Sequence, residues 1–258
     1  MAVYVLSDVH GHLRALDGAL AQASPAADDR VYVLGDMVDR GPDPLGVIRL
    51  LRGLPNVTVL AGNHEQLMLS CVGNPDDRAA WDLWMRNGGT TTAQGLMDLV
   101  PEAYEHTVSW VRRLPLFDVV TAAGRPWVLV HAGIVDPAPP EGGVWDERSL
   151  FSMLLDQRPD DLLWVRSGFW DRPTGLVSEE GPSPVVVAGH TPTTYLPYVT
   201  DAMDGPVADG DGRGVMVWVG GDKLDVDCAA AGGHPEGQVG IVRLDDGATF
   251  YEPVREGE

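Results

Sequence analysis

Short polar motifs follow five apolar segments of the chain, and each motif carries Asp, His or Asn. They are Asp8-Val9-His10, Gly35-Asp36, Gly62-Asn63-His64, His131-Ala132-Gly133 and Gly189-His190-Thr191. Carboxylate and imidazole groups are ligands of divalent transition metals. One Asp or His after a strand is more often a helix cap or a turn residue. Five such groups at strand ends of one sheet would bury polar and like-charged atoms without partners, so the pattern predicts a metal centre.

The apolar segments that precede these motifs are typical of buried strands. They are rich in Val and Leu and lie at Ala2–Leu6, Val31–Leu34, Val57–Leu60, Val128–Val130 and Val185–Ala188. Apolar residues recur at helical spacing in 13–20 and 45–51, and Pro42 and Pro44 suit the first turn of the second helix. This βαβαβ order predicts a parallel sheet with right-handed crossovers, and ligands bind beyond the carboxyl ends of such strands.

The rest of the chain divides into three further stretches. A mostly helical stretch runs from Glu65 to about Leu114, with a turn at Asn87-Gly88-Gly89. A Pro/Gly-rich loop follows at Asp136 to Gly143, and short Val-rich segments between Val215 and Phe250 predict antiparallel strands. We interpret residues 1–258 as a single domain with a mostly helical insertion around 66–114.

Composition narrows the class of protein. The formal net charge is -20 and the sequence pI is about 4.5, which argues against a nucleic-acid surface or an anionic membrane partner. Cys71 and Cys228 are not in a CxxC pattern, so no zinc site of that kind is indicated. The first residues lack the features of a secretory leader, and no apolar run is long enough to span a bilayer. We therefore expect a cytoplasmic protein with free thiols.

The polar motifs together resemble one known family. DVHGH, GDMVDRG, GNHE, HAG and GHT occur in this order between Asp8 and Thr191 and look like those of the calcineurin-like metallophosphoesterases. The DRG and GNHE elements are similar to the phosphoprotein (serine/threonine) phosphatase branch, and AGHTPT and LDVDC resemble its bacterial members. The resemblance implies an α/β fold in which two mixed β-sheets pack as a sandwich flanked by helices (α/β/β/α).

The resemblance also implies a pair of divalent metal ions, with manganese favoured and iron or zinc as alternatives. Such a pair, about 3.5–4 Å apart, can activate a bridging hydroxide and neutralise phosphate charge. Asp8 and His10 would hold the first metal, and Asp36 would bridge both. The remaining ligands would hold the second metal, and they are Asn63, His131 and His190.

Four further residues receive catalytic roles from the same resemblance. Arg40 would grip phosphate oxygens, which its planar guanidinium matches, and Arg166 is similar to a second phosphate-binding arginine, with a surface salt bridge as the alternative. His64 would protonate the leaving oxygen, and Asp39 would orient His64.

Two positions depart from patterns found among relatives. Many members of the wider superfamily carry a second histidine where this chain has Pro192, so we expect fewer protein ligands on the first metal. Eukaryotic phosphatases usually carry Arg before GNHE, where this chain has Ala61. The second departure argues against a eukaryotic type of substrate groove.

These features favour a serine/threonine phosphatase-like phosphomonoesterase acting on a phosphorylated protein or a small phosphoester. The first alternative is a symmetrical dinucleoside tetraphosphate hydrolase, which would need aromatic side chains to stack on adenine, for instance from the stretch 81–110, or Trp164 or Trp170. The second alternative is an inactive phosphate-binding module. The complete ligand set, together with His64 and Arg40, argues against lost activity.

Overall fold

The computed structural model describes residues 1–140 and 142–258. The strands are β1 (Val3–Leu6), β2 (Arg30–Val33), β3 (Val57–Val59), β4 (Phe117–Ala122), β5 (Arg125–Val130), β6 (Val185–Ala188), β7 (Val217–Val219), β8 (Lys223–Asp225), β9 (Gln238–Arg243) and β10 (Ala248–Pro253). The helices are α1 (Leu13–Ala23), α2 (Pro44–Gly53), α3 (Asn63–Gly73), α4 (Arg78–Arg86), α5 (Thr90–Met97), α6 (Pro101–Val111), α7 (Glu147–Leu155) and α8 (Pro159–Trp164).

The strands form two mixed sheets of five strands each. The first sheet has the order β10-β9-β1-β2-β3, in which β1, β2 and β3 are parallel and β9 is antiparallel to both β1 and β10. The second sheet has the order β4-β5-β6-β8-β7, in which β5, β6 and β8 are parallel. Each sheet therefore has a parallel centre, and the carboxyl ends of its central strands lie at one edge.

Alternation along the strands produces the layers of the molecule. Val3 and Val5 of β1 pack in the core between the two sheets, whereas Tyr4 and Leu6 face the helices outside the first sheet. In the second sheet, Val128 and Val130 likewise face outward, towards a core that includes residues of α7 and α8. The layers are thus helices, sheet, sheet and helices, as the predicted α/β/β/α fold class requires.

The predicted strands and helices of the first half are present, with boundaries that differ by at most three residues. One expectation was wrong. The polar motifs do not follow strands of one sheet, because β1, β2 and β3 belong to the first sheet and β5 and β6 to the second. The sequence pattern predicts neither strand β4 nor helix α7. The predicted loop from Asp136 to Gly143 includes Glu141, which is outside the described residues.

Between β3 and β4 the chain forms four consecutive helices, α3 to α6. Asn87 and Gly88 interrupt them as a turn between α4 and α5, where the sequence places NGG. We call residues 66–114 the helical segment; that it is an insertion in a single domain stays a prediction. Both cysteines are buried and free. Among the described residues, none of the helices is long and apolar enough to cross a membrane.

Candidate metal centre

The candidate ligands lie at the facing edges of the two sheets. Asp8 follows β1, and the backbone N–H of His10 donates to the Asp36 carbonyl after β2 at 2.9 Å. On the other sheet His131 follows β5, and its carbonyl accepts from the N–H of Gly189 after β6 at 2.8 Å. The short loops after the parallel strands therefore bring their polar side chains together.

Several of these loops hold non-glycine residues at positive φ. The φ angles are 52° at Asp8, 46° at His10, 52° at Asp36, 72° at Asp39, 66° at Arg40 and 65° at His190. Non-glycine residues adopt this left-handed conformation at a cost, and they cluster where a site requires it. These residues are concentrated in the polar motifs, which indicates that the loops after the strands form a functional site.

Asp36 lies between two groups of potential ligands. One of its carboxylate oxygens is 3.5 Å from His10 Nε2, and the other is 3.6 Å from His131 Nε2. Asn63 Oδ1 lies 2.8 Å from His131 Nε2 and 2.9 Å from His190 Nδ1. Each group of side chains could hold one ion, with the Asp36 carboxylate shared between them.

The group around His10 differs in one respect from the expected ligand set. Its closely spaced donors are His10, Asp36 and His64. Asp8 Oδ1 lies farther away, 3.9 Å from His10 Nε2. The other oxygen of Asp8 accepts from Ser7 Oγ at 2.5 Å and from the His190 N–H at 2.9 Å. Asp8 therefore links the loops of both sheets and also faces the first group.

The donor atoms fit divalent cations. His10 Nδ1 donates to the Val38 carbonyl at 2.9 Å, and His131 Nδ1 donates to the Leu34 carbonyl at 2.8 Å. Each Nε2 therefore presents a lone pair to the cluster, the arrangement of metal-bound histidines. The lone pair of His131 meets the Asn63 carbonyl oxygen, so two acceptors face each other, and a cation between them would satisfy both.

Burial sets the ionisation of the cluster in the absence of metal. It lowers the pKa of the His10 and His190 imidazoles, chiefly by desolvation, and both therefore stay neutral and able to bind metal. Desolvation also raises the pKa of the Asp36 carboxyl well above its usual value, and neighbouring carboxylates add to this. A bound cation would reverse that effect and favour the carboxylate.

His64 and Asp39 form a hydrogen-bonded pair beside the cluster. His64 Nδ1 lies 2.7 Å from Asp39 Oδ2, and both side chains are almost completely buried. Burial by itself lowers the pKa of the His64 imidazole, but the carboxylates of Asp36 and Asp39 outweigh it and hold that pKa above its ordinary value. His64 is therefore a candidate proton donor, with Nε2 facing the cluster 3.9 Å from Asp36.

The two candidate arginines each contact a histidine of the site. Arg40 Nη2 lies 3.1 Å from His64 Nε2, and Arg166 Nε donates to His190 Nε2 at 3.0 Å. Arg40 is exposed and Arg166 is half-buried, so both cations can meet a ligand that enters from solvent. Guanidinium groups so placed can bind an oxyanion above the cluster.

Several residues that contact the site were not singled out from the sequence. Glu65 accepts from the N–H groups of Asp36 and Met37 at 2.9 Å and of Gly62 at 2.8 Å, so it joins the loops after β2 and β3. It is part of GNHE, and its place in the first turn of α3 is typical of a residue that caps a helix.

Two buried carboxylates at the end of β8 were also not predicted as site residues. Asp225 ends β8 and Asp227 follows it, next to the carboxyl end of β6 that carries His190. Burial, and then Asp8, raise the pKa of Asp227 well above its usual value. The LDVDC motif was the available signal, since two Asp residues at a strand end repeat the pattern of the other motifs.

The fold and the site define a class of protein. A model of the calcineurin-like phosphoesterase family matches residues 1–231, and the chain belongs to this family. The family consists of enzymes that hydrolyse phosphoesters with divalent metals, and this chain carries groups of Asp and His side chains that could bind such ions.

Two relatives found by sequence similarity carry the same name. A symmetrical bis(5'-nucleosyl)-tetraphosphatase from Erwinia tasmaniensis is 31% identical over 52% of this chain and 45% of its own length. One from Acidovorax sp. is 36% identical over 52% and 45%. The chain thus matches less than half the length of these relatives, and their substrate does not carry over on that basis.

Solved structures show the same fold at low identity. A putative diadenosine tetraphosphatase superposes with a TM-score of 0.61 at 19% identity, covering 99% of this chain and 94% of that chain. A protein serine/threonine phosphatase from Saccharomyces cerevisiae superposes with a TM-score of 0.56 at 15% identity, covering 100% of this chain and 81% of that chain. Both kinds of enzyme therefore share the sandwich of two sheets.

Proposed function

We propose that this protein is a phosphomonoesterase of the serine/threonine phosphatase type that acts with two divalent metal ions. The observation that carries the proposal is the buried His64–Asp39 pair, 2.7 Å apart, beside the cluster of potential ligands. We assign the first ion to Asp8 and His10 and the shared position to Asp36. The second ion belongs to Asn63, His131 and His190. Manganese is the proposed metal, with iron or zinc as alternatives, because mixed oxygen and imidazole ligands suit these ions better than they suit calcium.

Substrate binding falls to the arginines. When bound, the two ions supply the activation of water and much of the neutralisation of phosphate charge. Arg40 and Arg166 add two cations next to them and can each donate to a phosphate oxygen. These local charges offset the acidic surface for an anionic substrate, since distant exposed charges are screened beyond about 8 Å at physiological ionic strength.

The acid pair favours an ester with a poor leaving group. Asp39 orients the His64 ring through Nδ1, so that Nε2 faces the cluster. A proton on Nε2 can then pass to the leaving oxygen of the substrate. A serine or threonine alkoxide needs that proton. A nucleoside diphosphate leaves as a more stable anion and needs it less. The pair therefore supports an alcohol phosphate, such as a phosphorylated protein side chain, as the substrate.

A symmetrical dinucleoside tetraphosphate hydrolase is the second candidate. The named relatives favour it, and so does Trp164, whose ring centroid lies 6.0 Å from that of His190 and whose surface is 37% exposed. An exposed indole at this position offers a face on which a base can stack. Trp84 and Trp170 offer no such face, since both are completely buried.

Hydrolysis of two substrates by one preparation of the protein, with manganese added, distinguishes the two candidate functions. We expect faster hydrolysis, by kcat/KM, of a phosphoserine peptide than of diadenosine tetraphosphate, and Trp164→Ala should change the peptide reaction little. Preferred cleavage of the dinucleotide into two nucleoside diphosphates, lost in Trp164→Ala, would establish the second candidate instead. A cytoplasmic location and a bacterial origin stay predictions from the sequence.

A further inference from the structure

The helical segment reaches into the site at Asp39. Trp84, in α4, donates its indole N–H to the Asp39 carboxylate, with distances of 2.9 and 3.1 Å to the two oxygens. Thr92, in α5, donates its hydroxyl to Asp39 Oδ1 at 2.6 Å and accepts from the Asp39 N–H at 2.8 Å. With His64 on the other oxygen, the carboxylate is held from three sides.

These contacts are buried and involve a charged group. Trp84, Thr92 and Asp39 are each 0% exposed. Hydrogen bonds to an ionised acceptor are stronger than those between neutral groups, and a buried network is rigid when all its members are satisfied. Asp39 cannot rotate without giving up the indole or the hydroxyl, so the direction in which it presents Oδ2 to His64 is determined by α4 and α5.

The turn between these helices also contacts the neighbouring arginine. The N–H of Arg40 donates to the Gly88 carbonyl at 2.9 Å. Gly88 has a φ of 99°, and a Cβ atom there would lie 2.7 Å from Arg40 Cγ. A Cβ atom on Gly89 would lie 2.5 Å from the Trp84 indole nitrogen. The two glycines therefore permit the close approach of the turn to the loop that carries Asp39 and Arg40.

We propose that residues 84–92 of the helical segment position the His64–Asp39 acid pair. Trp84 and Thr92 are positioning residues that act through Asp39. Gly88 positions Arg40 through its backbone carbonyl. The assignment of a proton-donating role to the pair rests on the proposed function. The contacts themselves do not depend on it, so the two ideas can be tested separately.

The first test uses conservative variants and their neighbours as matched controls. Trp84→Phe removes the indole N–H and keeps an aromatic ring, and Thr92→Val removes the hydroxyl at nearly constant shape. Trp81 and Thr91 lie close by in sequence, and neither the Trp81 indole nitrogen nor the Thr91 hydroxyl has a hydrogen-bond partner among the described residues. Trp81→Phe and Thr91→Val therefore make the same chemical changes in the same two helices without removing a hydrogen bond to Asp39.

The readout is the ratio of kcat for a phosphoserine peptide to kcat for p-nitrophenyl phosphate. An aryl phosphate needs little help from an acid, so a misplaced pair lowers the ratio, whereas general damage lowers both rates alike. We expect Trp84→Phe and Thr92→Val to lower the ratio roughly 10- to 100-fold, the range for loss of a hydrogen bond to a charged group. Trp81→Phe and Thr91→Val should leave it unchanged, and Thr92→Ser should restore it.

A second readout needs neither metal nor substrate. In metal-free protein with ¹⁵N-labelled tryptophan, the indole N–H signal that disappears in Trp84→Phe should move in Asp39→Asn and in Thr92→Val, and stay in place in Thr91→Val.

An unmoved indole signal in Asp39→Asn and Thr92→Val would overturn the positioning role. So would an equal loss of both activities in Trp84→Phe and Thr92→Val, or a ratio lowered as much by the control variants. A wild-type protein inactive on both phosphoesters would overturn the proposed function alone, and the indole signal would then decide the positioning role.

Discussion

The cluster of candidate metal ligands and the proposed acid pair of His64 and Asp39 adjoin each other but are held in place by different parts of the molecule. The imidazoles of His10 and His131 are oriented by the backbone carbonyls of Val38 and Leu34, which lie in or beside the loop after β2. The Asp39 carboxylate is oriented by side chains 45 and 53 residues away, in the helical segment. The sheets thus build the cluster, and the helical segment completes the pair, so each can be disturbed with the other intact.

The largest effect is expected at the shared ligand of the cluster. Asp36→Asn removes a carboxylate that faces both groups of donors, so it should lower manganese content and abolish hydrolysis of every substrate. The loss should exceed the roughly 10- to 100-fold typical of residues that only support a ligand. Metal content by elemental analysis and kcat check this, with Asp17→Asn, an exposed site on α1, as the control. Full activity in Asp36→Asn would contradict the account.

The second-largest effect is expected in the His64–Asp39 pair, and it should leave the metal cluster intact. His64→Ala should slow hydrolysis of a phosphoserine peptide by roughly 100- to 10,000-fold, the usual contribution of a general acid, and slow p-nitrophenyl phosphate far less. Asp39→Asn should show a milder form of the same asymmetry. Both variants should keep their manganese, measured in the same samples. Equal losses on the two substrates with full metal content would mean that His64 is not the acid.

A smaller effect is expected at the entrance to the cluster. Arg40→Ala should raise the inhibition constant of inorganic phosphate, with a loss of binding free energy of about 1.5–3 kcal/mol, the contribution of a hydrogen bond to a charged group. The metal content should stay unchanged. Arg49→Ala is the matched control, because Arg49 is exposed on α2 and pairs with Asp43 at 3.6 Å. If the inhibition constant of Arg40→Ala equals that of wild type, Arg40 does not bind phosphate.

The smallest effect should come from the support of the cluster. Glu65→Gln replaces an acceptor oxygen by an amide group that cannot accept from the N–H groups of the Asp36 loop. We expect roughly tenfold weaker manganese binding, at the lower end of what such changes cause. Titration with manganese measures it, and Glu102→Gln, on the exposed surface of α6, is the control. Unchanged affinity would show that the loop keeps its shape without the carboxylate.

The comparison of the two regions also explains what could be predicted from the sequence. The clustering was predictable because each candidate ligand lies within four residues of the carboxyl end of a strand, and the carboxyl ends of neighbouring parallel strands lie at one edge of their sheet. That the edge is shared by two sheets did not follow from the apolar pattern, because β4 has partly exposed positions and the order of strands depends on long-range pairing.

The contacts behind the acid pair were not predictable for a related reason. Trp84 and Thr92 lie in the helical segment, where an apolar ring and a hydroxyl are ordinary residues of a helix surface or core. Only the packing of α4 and α5 against the Asp39 loop turns them towards the carboxylate. The Asn87-Gly88-Gly89 turn was visible as a break between helices, but its close approach to Arg40 depends on the folded structure.

The most direct test of the account is the metal content of the wild-type protein. After removal of metals by a chelator and incubation with manganese followed by gel filtration, elemental analysis should find close to two manganese ions per chain. His131→Ala, which removes a donor from the group of Asp36, His131 and His190 only, should retain about one. A wild-type protein that retains no transition metal, or a His131→Ala variant that retains as much as wild type, would contradict the assignment of the cluster.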